Sequence, residues 1–252
     1  AAGVAFYGSW NWGGDTPCWS VYNTGKNGAE VASHEAGHTL NLSHQGQWDG
    51  VTTTNEYYGG QGSGETGWAP IMGVGYYQSV AQWAKGEYNA ANQFEDELSR
   101  IVNNNNDVDY RVDDTGNTLA TARYLEVLPD SSVSAEGVIE RANDADAFQF
   151  TTTGGLVSLT ARPVGDWSDL GLAVVIADSA NVILHTNNPQ NTLWAGITTN
   201  LAAGTYTFRV IGVGKNNPVS NGFSAYASLG YYSIVGAVAG STQPTRLSVF
   251  EH

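Results

Sequence analysis

Three of the chain's five histidines fall in one short stretch, His34-Glu35-Ala36-Gly37-His38-Thr39-Leu40-Asn41-Leu42-Ser43-His44. On a helix, residues four apart share a face, so His34 and His38 can offer two imidazoles to one ion. Continued helix would swing His44 away from that face, so the chain must break before it. Asn41 is placed to do so, because Asn tolerates the left-handed backbone that turns a chain at a helix end. Three nitrogen ligands leave a fourth position for water, which marks a catalytic rather than a closed structural zinc site. Zinc lowers the pKa of its water from about 15.7 to roughly 7 and polarises a scissile carbonyl. A carboxylate beside the metal takes the water's proton and passes it to the leaving amine, the general-base role assigned to Glu35. A chance HExxH match is the competing reading; ligand spacing of three histidines and the adjacent Glu35 weigh against it.

Positioning these residues requires a helix, read over residues 28–42 from Ala29, Val31, Ala32, Ala36 and Leu40. Gly3–Trp10 reads as a strand, 45–67 as a Gly- and Thr-rich loop, and Tyr88–Val102 as a second helix with Phe94, Leu98, Ile101 and Val102 on one face. Asn103-Asn104-Asn105-Asn106-Asp107 then disfavours both regular structures, and the domain boundary falls there: 1–106 and 107–252. Beyond it, short β-rich runs recur at Val133–Ile139, Ala147–Thr151, Leu156–Ala161, Leu172–Ala177, Val182–His185, Leu193–Thr198, Thr205–Val213 and Ala225–Val235. Turn residues separate them, as in an antiparallel sandwich, with Asp178–Asn181 as a hairpin connection. The expected fold is therefore α+β, a zinc-helix portion followed by an all-β sandwich.

HEAGHTLNLSH resembles the extended signature of the metzincin zinc metallopeptidases, HExxHxxGxxH, with Asn41 where the family usually has Gly. The resemblance implies a methionine turn below the metal. Ile71-Met72-Gly73-Val74-Gly75 fits it, and Met72, the single methionine, would form a soft apolar floor under the imidazoles. In some metzincins a tyrosine after this turn approaches the zinc; Tyr76 and Tyr77 are the candidates, with core aromatics as the alternative for both. Residues 68–77, followed by Gln82–Tyr88, look like a bacterial reprolysin-like subgroup, and the specificity pocket is expected near residues 68–80. Such domains carry a twisted sheet and a long helix before the zinc helix, whereas 33 residues precede His34. The expectation is thus a fragment, a cleavage product or one of two associated chains. Gly3–Trp10 would serve as the edge strand that aligns substrate.

Residues from about 110 resemble the bacterial pre-peptidase C-terminal domain, a β-sandwich found after secreted peptidases and linked to secretion, surface binding and removal on maturation. The resemblance rests on Asp113–Ala122, Asp144–Phe150 and Gly204–Val210. Asp144 and Asp146 alternate on an extended segment, so both carboxylates can face one side. With Asp113, Asp114 or Asn117 they form a candidate calcium site, the alternative being solvated turn residues. His185 reads as a satisfied strand residue and His252 as a disordered terminal one.

The net charge of −14, with 10 Lys+Arg, argues against nucleic acid and anionic membranes as partners. Cys18, the only cysteine, is read either as a buried small hydrophobe or as half of a disulfide whose partner lies in the missing segment; an exported composition favours the second. The function expected is a secreted, extracellular zinc endopeptidase acting on proteins or peptides. The alternatives are a binding or adhesion protein with a decayed zinc site and, more weakly, another zinc hydrolase such as a deacetylase.

Overall fold

The structure, a computed structural model, describes residues 2–22, 25–103 and 105–241; His252 lies outside them. Each β-rich run of the second half becomes a strand. β8 (Ser132–Ile139), β9 (Ala145–Thr152), β10 (Gly155–Pro163), β11 (Leu172–Asp178), β12 (Ile183–Asn187), β13 (Ala195–Leu201), β14 (Gly204–Gly212) and β15 (Gly230–Val238) are joined by the short β7 (Arg123–Tyr124). They form two sheets, ordered β13-β10-β15-β8 and β12-β11-β14-β9-β7. All pairs are antiparallel except β7 with β9. β7 was missed because two exposed residues carry no alternation. The chain is thus a β-sandwich in its second half, with Phe148, Phe150, Leu159, Ile176, Phe208 and Ile234 in one core between the sheets. The β11–β12 turn is as expected: Asn181 has φ 65°, and Asp178 Oδ1 accepts from Ala180 and Val182 N–H. His185 is bonded to Thr199 Oγ1 at 3.1 Å.

The first half is less regular. It comprises β1 (Gly3–Val4), β2 (Trp19–Ser20), α1 (Gly25–Thr39), β3 (Gln47–Trp48), β4 (Thr53–Asn55), β5 (Trp68–Pro70), β6 (Val80–Gln82) and α2 (Glu97–Ile101). Two expectations fail here. The strand over Gly3–Trp10 shrinks to β1, because Gly8 takes φ 67° and turns the chain onto the end of α1. There Gly8 and Trp10 N–H donate to His38 O and Thr39 O at 2.8 and 3.0 Å. The helix over Tyr88–Val102 shrinks to α2. Ala90 has φ 57°, which no helix accommodates, and Asp96 caps α2 by accepting from Ser99 N–H at 2.9 Å. Phe94, expected on the apolar face, is 73% exposed. Cys18 is exposed and free, against its buried reading.

The sequence boundary near residue 103 is not a packing boundary. Tyr58, Trp68, Val80, Ala84, Tyr88 and Ala91 form one apolar cluster with Leu193 and Phe223 of the second half. Polar bonds ring it: Ala81 N–H to Asp169 Oδ1 and Leu193 N–H to Glu65 Oε1, both 2.8 Å, and Leu98 N–H to Tyr226 Oη at 2.7 Å. Among the described residues no helix is long and apolar enough to cross a membrane.

Candidate metal centre

α1 ends in a two-bond cap. Leu42 N–H donates to Gly37 O and Asn41 N–H to His38 O, both at 3.0 Å. Asn41, at φ 69°, is the left-handed residue that such a closure requires. The reversal carries His44 back, so that one nitrogen each of His34, His38 and His44 lies within 4.8 Å of the others.

Each imidazole is held from behind. Nδ1 of His34 lies 2.8 Å from Ile71 O, that of His38 2.8 Å from Leu42 O, and that of His44 2.9 Å from Glu56 Oε1. Oxygen acceptors fix the proton on Nδ1 and leave the Nε2 lone pair for a metal. Two such atoms, His38 Nε2 and His44 Nε2, are 3.0 Å apart. Lone pairs facing at that distance repel unless a cation sits against them, and tetrahedral zinc at about 2.0–2.1 Å would set its nitrogens roughly 3.3 Å apart. Burial pushes His34 down to about 4 and also lowers His44, so both are neutral, the ligand form, at neutral pH. Among the described residues neither a thiolate nor a fourth carboxylate or imidazole donor joins the three imidazoles, a set that suits catalytic zinc.

Glu35 is 7% exposed and burial raises its pKa, opposed by His38. It packs under β1: a methyl on Gly3 would lie 2.5 Å from Glu35 Oε1 and 2.7 Å from Trp19 O. With the histidines it lines a cleft of about 620 Å³ bounded by β1, α1 and the 71–76 segment.

Met72 is fully buried beneath α1. A methyl on Gly37 would lie 2.5 Å from its sulfur, so the small residue inside HEAGH is set by the methionine below. Met72 O also accepts from Gln45 N–H at 2.9 Å, tying the turn to the residue after His44. Tyr76 lines the cleft beside Tyr22, ring centroids 5.5 Å apart. Tyr77 is 89% exposed, neither a core aromatic nor a cleft residue, because the turn points it outward. Two other aromatics lie beside the histidines: Tyr57, whose ring centroid is 4.4 Å from that of His44, and Tyr7, 6.1 Å from that of His38. Neither Tyr57 nor Glu56 was singled out from sequence; both sit in a stretch without periodicity.

A second group lies at the sandwich edge, where carboxylate oxygens of Asp113, Glu140, Asp144 and Asp146 come within 4.8 Å of one another. Asp144 and Asp146 do share a side, as their alternation predicts, and Asp113 joins them. Glu140, at the end of β8, was missed. Asp114 lies outside this set and faces Arg123 at 3.8 Å. With its amide turned so that the nitrogen faces acceptors, Asn117 donates to Ala145 O (3.2 Å) and Asp144 Oδ1 (3.3 Å), from outside the set. Asp146 is fully buried; its Oδ2 accepts from Tyr232, while its Oδ1 and Glu140 Oε2 have no partner. Burial pushes Asp146 up to about 8 and Glu140 to about 7.

No protein-family profile matches the sequence, nor does any curated protein. Among the solved structures that match, two align with under half of the chain. The pre-peptidase C-terminal domain of collagenase from Bacillus anthracis is 12% identical over 45% of this chain and 91% of its own, with TM-score 0.32. PliG of Aeromonas hydrophila, a periplasmic inhibitor of g-type lysozyme, is 13% identical over 46% and 94%, also with TM-score 0.32. Likenesses this low carry no inference about the chain.

Proposed function

We propose that this chain is, or belongs to, a secreted metzincin-like zinc endopeptidase. The observation that supports it most is the convergence of three imidazoles, each anchored through Nδ1, at one point of an open cleft beside Glu35. Zinc bound there would supply a water acidified to a pKa of about 7 and polarise the scissile carbonyl. Glu35 takes up the proton released in attack and returns it to the leaving amine. β1, paired among the described residues with β2 alone, offers its other edge to an extended peptide, since Gly3 and Val4 line the cleft. A binding protein with a decayed site would have no use for Glu35, buried beside three histidines in the room that Gly3 leaves.

The test is direct. The protein should bind one zinc and digest casein, a chelator should stop digestion, and zinc should restore it. Cleavage that ignores the chelator sinks the reading.

For the acidic group we propose calcium, a cation of oxygen ligands. It would occupy the two orphaned, buried carboxylate oxygens, whose desolvation otherwise goes uncompensated. At calcium a hundredfold above Kd the expected gain is about 2.7 kcal/mol, or roughly 5–10 °C in Tm for a chain of this size. Asp146→Asn should abolish the shift. A wild-type Tm indifferent to calcium refutes the site.

A further inference from the structure

A second cavity borders the cleft. Beyond His34 the cleft shares the wall Glu30, Ile71 and Ala81 with this cavity of about 180 Å³, which reaches Lys26 on α1 and Asp166 and Asp169 of the sandwich. Glu30 stands where the two spaces meet. Lys26 Nζ donates to Glu30 Oε1 and to Gly75 O at 3.0 Å, so that oxygen is satisfied. Glu30 Oε2 is buried with no partner, and an unsatisfied buried acceptor is costly, the more so when charged. It lies under Gly75, where a methyl would come 3.1 Å from it, so glycine leaves the approach from the cleft open. Three carboxylates, Glu30, Asp166 and Asp169, face this inner space against one ammonium, Lys26. Asp169 is held in place, accepting from Ala81 N–H at 2.8 Å.

We propose that Glu30 is the specificity-determining residue of the cleft and selects substrates with an Arg or Lys side chain next to the scissile bond. A cationic head entering past His34 supplies the donor that Glu30 Oε2 lacks, and meets the excess negative charge that the sandwich adds through Asp166 and Asp169. An apolar side chain of the same length fills the space and leaves the oxygen orphaned. The sandwich thereby helps to build the substrate-binding surface. The inference rests on the peptidase reading of the adjoining metal centre.

The experiment uses paired quenched peptides differing only in Arg or norleucine beside the cleaved bond, on each side in turn. On one side, kcat/KM should favour Arg about tenfold or more, the worth of one charge-assisted bond. Glu30→Gln should collapse that ratio toward one, and Lys26→Gln, which removes the competing ammonium, should enlarge it. The same peptides are titrated calorimetrically into Glu35→Gln protein, where Arg should bind about tenfold tighter and the added Glu30→Gln change should erase the difference. Equal kcat/KM for the pair on both sides, or a ratio untouched by Glu30→Gln, overturns the proposal. Arg-selective binding without any chelator-sensitive cleavage would instead refute the peptidase reading and leave the selectivity of Glu30 standing.

Discussion

Glu35→Gln should reduce kcat/KM for peptide hydrolysis by about 10²–10⁴ while zinc still binds one to one. The two halves of this expectation have separate origins. The donor set proposed for the metal is His34, His38 and His44, and Glu35 is outside it, so an amide at residue 35 would leave those three nitrogens untouched. Gln matches Glu in shape, which matters because the side chain lies so close to Gly3 that a methyl there would come 2.5 Å from Oε1. What the amide cannot do is accept and return a proton. Zinc titration of apo-protein and steady-state kinetics on one preparation measure both halves. Wild-type turnover in the variant would remove Glu35 from the chemistry; loss of zinc along with activity would make it structural.

How far such a site is legible in sequence depends on whether its parts are local. The helix that carries His34 and His38, its end at Asn41 and the return of His44 involve contacts a few residues apart, and spacing together with the left-handed tolerance of Asn was enough to read them. The sandwich strands were legible for a similar reason, since Val157, Leu159 and Ala161 alternate with outward residues and bury in one core. The failures share another cause. Tyr88–Val102 carries an apolar spacing that fits a helix, yet the chain there serves distant groups: Ser43 N–H donates to Glu95 at 2.6 Å, and Tyr226 Oη donates to Asp96 at 2.6 Å. Glu56, Tyr57 and Glu140 reach their sites from loops or strand ends, where no period marks them. The Asn-rich boundary signals a break in regular structure and says nothing of the shared cluster that joins Tyr58 and Trp68 to Leu193 and Phe223.

Glu97→Ala should be the most destabilising change outside the sandwich core, and it should weaken zinc binding although Glu97 touches no ligand. Glu97 is fully buried. Its Oε1 accepts from Gln45 Nε2 at 2.8 Å and its Oε2 from Ala84 N–H at 2.6 Å. Tyr88 Oη donates to Gln45 Oε1 at 2.9 Å. Removing the carboxylate orphans two buried donors, at about 1–3 kcal/mol each, and opens a void besides, for a loss on the order of 4 kcal/mol. Gln45 follows His44 directly, and its N–H is bonded to Met72 O, so slack in this network becomes slack in His44, the third proposed ligand. Loss of such outer support typically costs about 10–100-fold in metal affinity. The same carboxyl gives stability a pH dependence of defined sign. Burial pushes Glu97 up from 4.5 to about 8, so the folded chain keeps a proton that the unfolded chain releases. Its contribution is full below about pH 4.5 and is lost as pH rises toward 8. Denaturant unfolding across that window should show wild-type stability falling more steeply than that of Glu97→Ala. Parallel curves would mean that Glu97 is ionised in the fold throughout, held so by its two N–H donors.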